Sequence, residues 1–351
     1  MTDFTTLPLV LNLAIFAGAA AFVWIAGTRI SEYADAISAH TGLGHAFLGL
    51  LLLGGVTSLP EMAVSVSAAY SASPALAVNN ILGGVTMQVA ILALADFAIG
   101  RRALTSVVPN PIVMLQGSLN VLLLVFVPVG ILVGDVSLLG IGAWVWAILG
   151  LAVFSLYTLS QSEGRKPWRA VNLNEKSPDD EAERSRSRRS NASLSSILGK
   201  TTLAAAVILI AGFVIARTAD AIAEQTGLGA SFVGAVLVAI STSLPEISTV
   251  LSAARLGLYT MAISDILGTN LFDVGLLFVI DGVAPGEPVL NRVGTFSSVA
   301  ALLGIAVTTL FLIGLAERRD RTILRMGIDS AAVLVVYFGG LVMLYGLRSG
   351  E

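Results

Sequence analysis

Runs of about twenty apolar residues recur along the chain, separated by short polar breaks. They fall near 8–30, 43–69, 75–97, 104–133, 137–160, 200–223, 229–254, 258–281, 295–316 and 328–347, which predicts ten membrane-crossing helices. The stretches 43–69 and 104–133 are longer than a bilayer core needs, so tilt, a break or an interfacial part is expected there. Transmembrane strands would alternate apolar and polar positions over about ten residues, and that alternation is absent. One long polar stretch, Gln161 to Lys200, stands in the middle. It predicts a flexible linker between a first unit, 1–160, and a second, 201–351.

Composition strengthens this picture. Charged residues make up 12% of the chain and hydrophobic ones 56%. A soluble domain carries about 25% charged residues, so this chain lacks the charge to cover a wet surface. There is no cysteine, which excludes disulfides, thiolate metal sites and cysteine nucleophiles. No Lys or Arg precedes the first apolar run, so no cleaved signal is expected. The acidic flank at Asp3 suggests an outer N-terminus.

With that end outside, one face collects Arg29, Arg101, Arg102, the basic linker, Arg255, Arg318, Arg319, Arg321 and Arg325. The other keeps Arg217, Arg292 and Arg348. This asymmetry predicts a plasma (inner) membrane protein with both termini outside and the linker cytoplasmic. The linker's Arg-Ser run, 184–189, could attract nucleic acid or anionic lipid, but nothing else supports a nucleic-acid partner. The expected partners are the lipid bilayer and small cations. The sequence does not define an oligomeric state.

The chain also repeats itself. T-G-L-G at Thr41–Gly44 recurs at Thr226–Gly229, T-S-L-P-E at Thr57–Glu61 recurs at Thr242–Glu246, and I-L-G at Ile81–Gly83 recurs at Ile266–Gly268. Asp35 matches Asp220, and Asp96 matches Asp281. Every pair is 185 residues apart, so about sixty residues align without a gap. With five spans per copy, the second copy enters the membrane from the opposite side. The predicted fold is therefore an all-α membrane protein of about ten helices in two inverted five-helix repeats, an architecture of secondary transporters. The alternative is a duplicated scaffold without transport.

The chemistry sits inside the repeat. Glu61 and Glu246 lie deep in apolar runs, where a charge costs about 2.5–3.5 kcal/mol on insertion scales. No Lys or Arg lies near them in the same spans, which leaves cations or protons as compensation. Pro60 and Pro245 remove a helical N–H and free the carbonyls of Val56 and Ser241. Thr57 and Ser58 fall on the helical face of Glu61, and Thr242 and Ser243 on that of Glu246. These hard oxygen donors suit Na⁺ or Ca²⁺. In D-I-L-G-T-N-L-F-D, Thr269 and Asp273 share a face, and the aligned residues of the first copy are Gly84 and Gln88. Gln88 offers an amide oxygen and no charge.

Other polar residues have plainer readings. Asp35, Asp96, Asp220 and Asp281 are expected near helix ends rather than as ligands. His40 and His45 are expected in a loop, without a zinc role. Asn79 and Asn80 are expected to cap or precede a span. Asn270 is either a packing amide or a partner of the ligands.

At these residues the chain resembles the sodium/calcium exchanger family, within the calcium/cation antiporter superfamily. The resemblance is carried by small-x-x-T-S-L-P-E at Gly54–Glu61 and Ala239–Glu246, and by D-I-L-G-T-N-L-F-D. It implies a secondary antiporter, not an enzyme, that exchanges Ca²⁺ for Na⁺ by alternating access and carries no cofactor. It implies a calcium site at Glu61, Glu246, Asp273 and Gln88. Sodium sites would use Thr57, Ser58, Thr242, Ser243 and Thr269, with carbonyls near Gly54 and Ala239. The family's G-S-N-I-x-N reads G-G-V-T-M-Q at Gly83–Gln88, so one hydroxyl is missing and a longer amide stands at the centre. A cation/proton exchanger of the same fold is the alternative, as is a membrane ion sensor that does not transport. A membrane protease would need a nucleophile–base pair or a metal motif at depth, and the spans hold neither.

Overall fold

A computed structural model describes residues 4–70, 74–99, 103–108, 110–162, 193–227, 240–318, 322–323 and 326–347. The first repeat contains α1 (Leu9–Thr41), α2 (His45–Leu48), a π-helical stretch (Gly49–Gly54), α3 (Gly55–Tyr70), α4 (Pro74–Ile99), α5 (Leu104–Val107), α6 (Ile112–Val133) and α7 (Ala143–Ser162). The second contains α8 (Leu194–Gln225), α9 (Leu244–Arg255), α10 (Tyr259–Gly275), α11 (Leu277–Val283), α12 (Thr295–Glu317) and α13 (Ile328–Leu347). Short antiparallel hairpins precede α7 (β1, Ser137–Leu138; β2, Ile141–Gly142) and α13 (β3, Thr322–Ile323; β4, Met326–Gly327).

Among the described residues, nine helices are long and apolar enough to cross a bilayer. The expected span at 229–254 is described only from residue 240 onward, and most of the expected linker also lies outside the described residues. Helix α1 has 33 residues, about 50 Å of helix against a core of about 30 Å, so it tilts or protrudes. The long run 104–133 is broken into α5 and α6, and the run 137–160 begins as a hairpin.

The offset of 185 residues reaches well beyond the matching motifs. It carries Ser137–Gly142 onto Thr322–Gly327, and α5 onto the 3₁₀ turn Val289–Arg292. The T-G-L-G motif is a helix stop. Gly42 and Gly227 take φ of 73° and 75° after α1 and α8, a left-handed conformation that glycine adopts without a Cβ clash.

The halves interlock. α1 packs along α8 and crosses α9 of the other repeat, while α8 crosses α3. Matched glycines permit these crossings. Gly27 abuts Ser248 and the Pro245 carbonyl, and a Cβ on Gly212 would stand 2.5 Å from the Pro60 ring. α10 lies at the centre, with every residue from Thr260 to Leu271 buried, packed on the π-helical stretch, α4, α6 and α9.

Asp96 and Asp281 lie toward helix ends and are buried structural acceptors. The Asp96 carboxylate takes the N–H of Leu104 at 2.6 Å and that of Gly327, in the other repeat's hairpin, at 2.7 Å. The Asp281 carboxylate takes Val289 N–H and Gly142 N–H, both at 2.6 Å. Each acid therefore holds a turn of its own repeat and the hairpin of the other.

Several expectations are corrected here. His40 lies in the last turn of α1 and His45 opens α2, so neither is in a loop. His45 Nε2 is 3.0 Å from Asp35 Oδ1, because a buried imidazole needs a polar partner. Asp35 is inside α1, six residues before its end. Asn79 and Asn80 are inside α4, not before it. Asn79 accepts the Ser297 hydroxyl at 2.5 Å, and Asn80 donates to Ser65 Oγ at 3.0 Å.

Candidate functional site

The two T-S-L-P-E segments meet where the repeats pack together but are built differently. In the first, a π-helical turn runs directly into α3, which carries Pro60 within a continuous helix. Such wide turns occur often at functional sites. In the second, the chain is broken at Ser243. α9 starts at Leu244, with Pro245 in its first turn, where no helical N–H partner is required. Glu246 then also lies in the first turn, at the positive end of the helix dipole. The Ser243 hydroxyl does not cap this helix. It donates across the repeat boundary to Glu61 Oε1 at 3.5 Å.

Glu61, Gln88 and Asp273 form the core of the site. The Gln88 side-chain N–H₂ donates to Glu61 Oε2 at 3.2 Å and to Asp273 Oδ2 at 3.1 Å. A first-repeat amide thus joins acids from both repeats. The oxygen expected to face a cation, Gln88 Oε1, is buried without a partner, as is Asp273 Oδ1. Glu246 is fully buried, neither of its carboxylate oxygens has a partner, and it lies within electrostatic reach of Glu61.

A second group of oxygens adjoins the acids. The Gly54 carbonyl accepts the hydroxyls of Ser58 at 2.8 Å, Thr57 at 3.3 Å and Thr269 at 3.4 Å. The Thr57 and Thr269 hydroxyls, one from each repeat, are 3.2 Å apart. Thr242 is buried beside Ser243. Ala239 lies outside the described residues. Asn270 is fully buried with neither side-chain atom partnered. A Cβ on Gly84 would stand 3.6 Å from both Glu61 oxygens, which places this glycine against the carboxylate.

Among the described residues no three acidic or imidazole side chains make a metal cage by themselves. The acids come together through an amide and hydroxyls. A cation here would take a mixed shell of carboxylate, hydroxyl and carbonyl oxygens, the donor set of hard cations.

One acid that the sequence reading passed over belongs beside this group. Asp265 opens the D-I-L-G-T-N-L-F-D motif, is fully buried, and accepts the Thr249 hydroxyl at 2.5 Å. Its signal was present: Asp265, Thr269 and Asp273 recur every four residues, on one face of α10.

Exposure differs between the halves. Ser67, Asn79 and Asn80 are half-buried, and Gly83 is exposed. Their counterparts Ser252, Ser264, Asp265 and Gly268 are all buried.

A family model described as sodium/calcium exchanger protein matches residues 11–162 and 196–346. The chain belongs to the sodium/calcium exchanger family. Its fold is that of the sodium-calcium exchanger NCX_Mj, with a TM-score of 0.71 at 18% identity, covering 95% of this chain and 99% of that one. The putative antiporter CaxA of Alkalimonas amylolytica is 24% identical over 96% of this chain and 99% of its own length. Sodium/calcium exchanger MaX1 of Methanosarcina acetivorans is 25% identical over 41% of this chain and 39% of its own. This exchanger-family chain is thus an integral, multi-pass membrane protein of two inverted repeats, and its family is one of cation antiporters rather than enzymes.

Proposed function

We propose that the chain exchanges Ca²⁺ for Na⁺ across the plasma membrane by alternating access, with its N-terminus outside and the linker in the cytoplasm. The observation that carries this reading is the Gln88 amide held between Glu61 and Asp273. Acids from two repeats are drawn to one point, where a positive group is required. Ca²⁺ wants six to eight oxygens at about 2.3–2.6 Å. Glu61, Glu246, Asp273 and Gln88, with the Gly54 carbonyl and adjacent hydroxyls, supply such a set. Na⁺ draws on the same carboxylates plus Thr57, Ser58, Thr242, Ser243 and Thr269. Shared ligands make occupancy exclusive, and that exclusion couples the two flows. Carrying the site across without ions would leave uncompensated charge at depth, which is costly.

The test is sodium-gradient-driven uptake of radiolabelled calcium into vesicles. Uptake is expected to vanish in Glu61→Gln/Glu246→Gln, and uptake that survives both changes would remove the proposal. A second reading, calcium/proton exchange, is favoured by one observation: Gly84 places no hydroxyl beside Glu61. It predicts calcium-dependent acidification or alkalinisation of the vesicle lumen with no sodium requirement. Calcium binding without flux under any gradient would instead mark a sensor.

A further inference from the structure

We propose that Asp265, together with Thr249, forms a separate sodium station between the central acids and one face of the membrane. Asp265 precedes Asp273 by eight residues on α10, about 12 Å along the helix axis, toward the turn Leu256–Leu258 that joins α9 to α10. Its Oδ2 takes the Thr249 hydroxyl at 2.5 Å, while Oδ1 is buried with no partner. The two ion pairs among the described residues, Arg29–Glu32 and His45–Asp35, leave Asp265 without a basic partner. A carboxylate in this position needs a positive charge from elsewhere.

The surroundings lead from the central site to the surface. Glu246, Thr249 and Ser252 recur every three residues on α9 and so lie along one side of that helix. Ser31 of α1 donates to the Thr249 carbonyl at 3.2 Å, and Ser252 donates to the Thr28 carbonyl at 3.3 Å. The next residue, Arg29, is exposed beside Glu32. A line of oxygens therefore runs from Glu246, which lies within electrostatic reach of Asp265, past Asp265 to the Thr28 carbonyl, next to the exposed Arg29. In the first repeat the aligned positions are Asn80, Val64 and Ser67. The station therefore exists on one side of the site and not on the other.

Charge selects the ion. One carboxylate with one hydroxyl balances a single positive charge, whereas Ca²⁺ sites gather several acids. An incoming or departing Na⁺ pauses here, one step from Glu246. The role in exchange rests on the function proposed above, whereas the binding does not.

The experiment counts sodium bound to purified, full-length protein by ²³Na NMR and calorimetric titration at fixed pH. With the central acids removed in Glu61→Gln/Glu246→Gln, one Na⁺ is expected to remain bound, and adding Asp265→Asn should abolish it. Thr249→Val in the otherwise intact chain gives the same comparison if the triple variant fails to fold, with at least tenfold weaker binding of one Na⁺ expected. In vesicles of known sidedness, Asp265→Asn should raise the half-saturating Na⁺ concentration about tenfold at the Leu256–Leu258 face and leave the opposite face unchanged. Residual Na⁺ binding that survives Asp265→Asn, Na⁺ binding unaltered by Thr249→Val, or an equal change at both faces would overturn the station. So would a signal that follows pH and ignores Na⁺. If no chain shows flux but the sodium count behaves as expected, the exchange proposal falls and the station stands.

Discussion

At Gly84 the absent side chain faces the Glu61 carboxylate, with ordinary van der Waals room for one more carbon. Gly84→Ser therefore fits and adds a hydroxyl next to that acid. A hydrogen-bonding group of this kind is worth about 1 kcal/mol, roughly fivefold in affinity. The half-saturating Na⁺ concentration for calcium efflux should fall by about that factor. Gln88 is the converse case. Its N–H₂ holds Glu61 and Asp273 together without a metal, so Gln88→Leu leaves both acids without that donor. The ion-free protein should lose about 1–3 kcal/mol, seen as a lower unfolding temperature. Added Ca²⁺ should stabilise the variant less than it stabilises the unaltered chain, because Gln88→Leu also removes the amide oxygen proposed as a ligand. The acids of this site were legible as residues, because Glu61, Glu246 and Asp273 stand out against apolar spans. Which atom of Gln88 faces them was not, since an amide offers both a donor and an acceptor and only the neighbours decide. Asp265 was visible on the same face of α10 as Thr269 and Asp273, but its pairing with Thr249 of another helix was not.

Among the elements, the offset of 185 residues made the paired helices readable before any coordinates. The two hairpins were not, because each contributes only two residues per strand inside a run that reads as helix. The acids that hold them were visible as a matched pair, but their partners lie in the opposite repeat. Asp96→Ala and Asp281→Ala each orphan two buried N–H groups, at about 1–3 kcal/mol per group. The two variants should lower the unfolding temperature by similar amounts, while Asp→Asn, which keeps one acceptor oxygen, should lose less. At the crossing of α8 and α3, Gly212→Ala drives a methyl group into the Pro60 ring. Overpacking of this kind costs about 1–3 kcal/mol, to be read from thermal unfolding in detergent.

Over the whole molecule, the two repeats share a plan and differ in exposure. Ser67 and Asn80 are half-buried and Arg217 donates to Ser67 at 3.4 Å, while Ser252 and Asp265 are sealed. Polar groups of this kind do not face lipid chains, so the first-repeat side is expected to be the more hydrated one in this conformation. The chain has no cysteine, which makes the expectation simple to check. Ser67→Cys should react with a membrane-impermeant thiol reagent added to the ion-free protein from one side. Ser252→Cys should stay unreactive until the transporter is driven to its opposite conformation. Equal labelling of both would contradict the asymmetry. The repeat itself predicted two equivalent sides. It could not say which one is closed, because that depends on how the halves lean and not on what either is made of.

The crossed grip of Asp96 and Asp281 has a consequence for how such a chain is assembled. Every hydrogen bond of that grip is made by residues outside the central polar stretch, and each half offers the other the same hook and eye. Two separately translated halves, cut between residues 162 and 193, should find one another in the same bilayer as antiparallel partners. Their co-purification from a cell making both, and its loss when the two aspartates are replaced together, would show that the covalent join serves convenience rather than recognition.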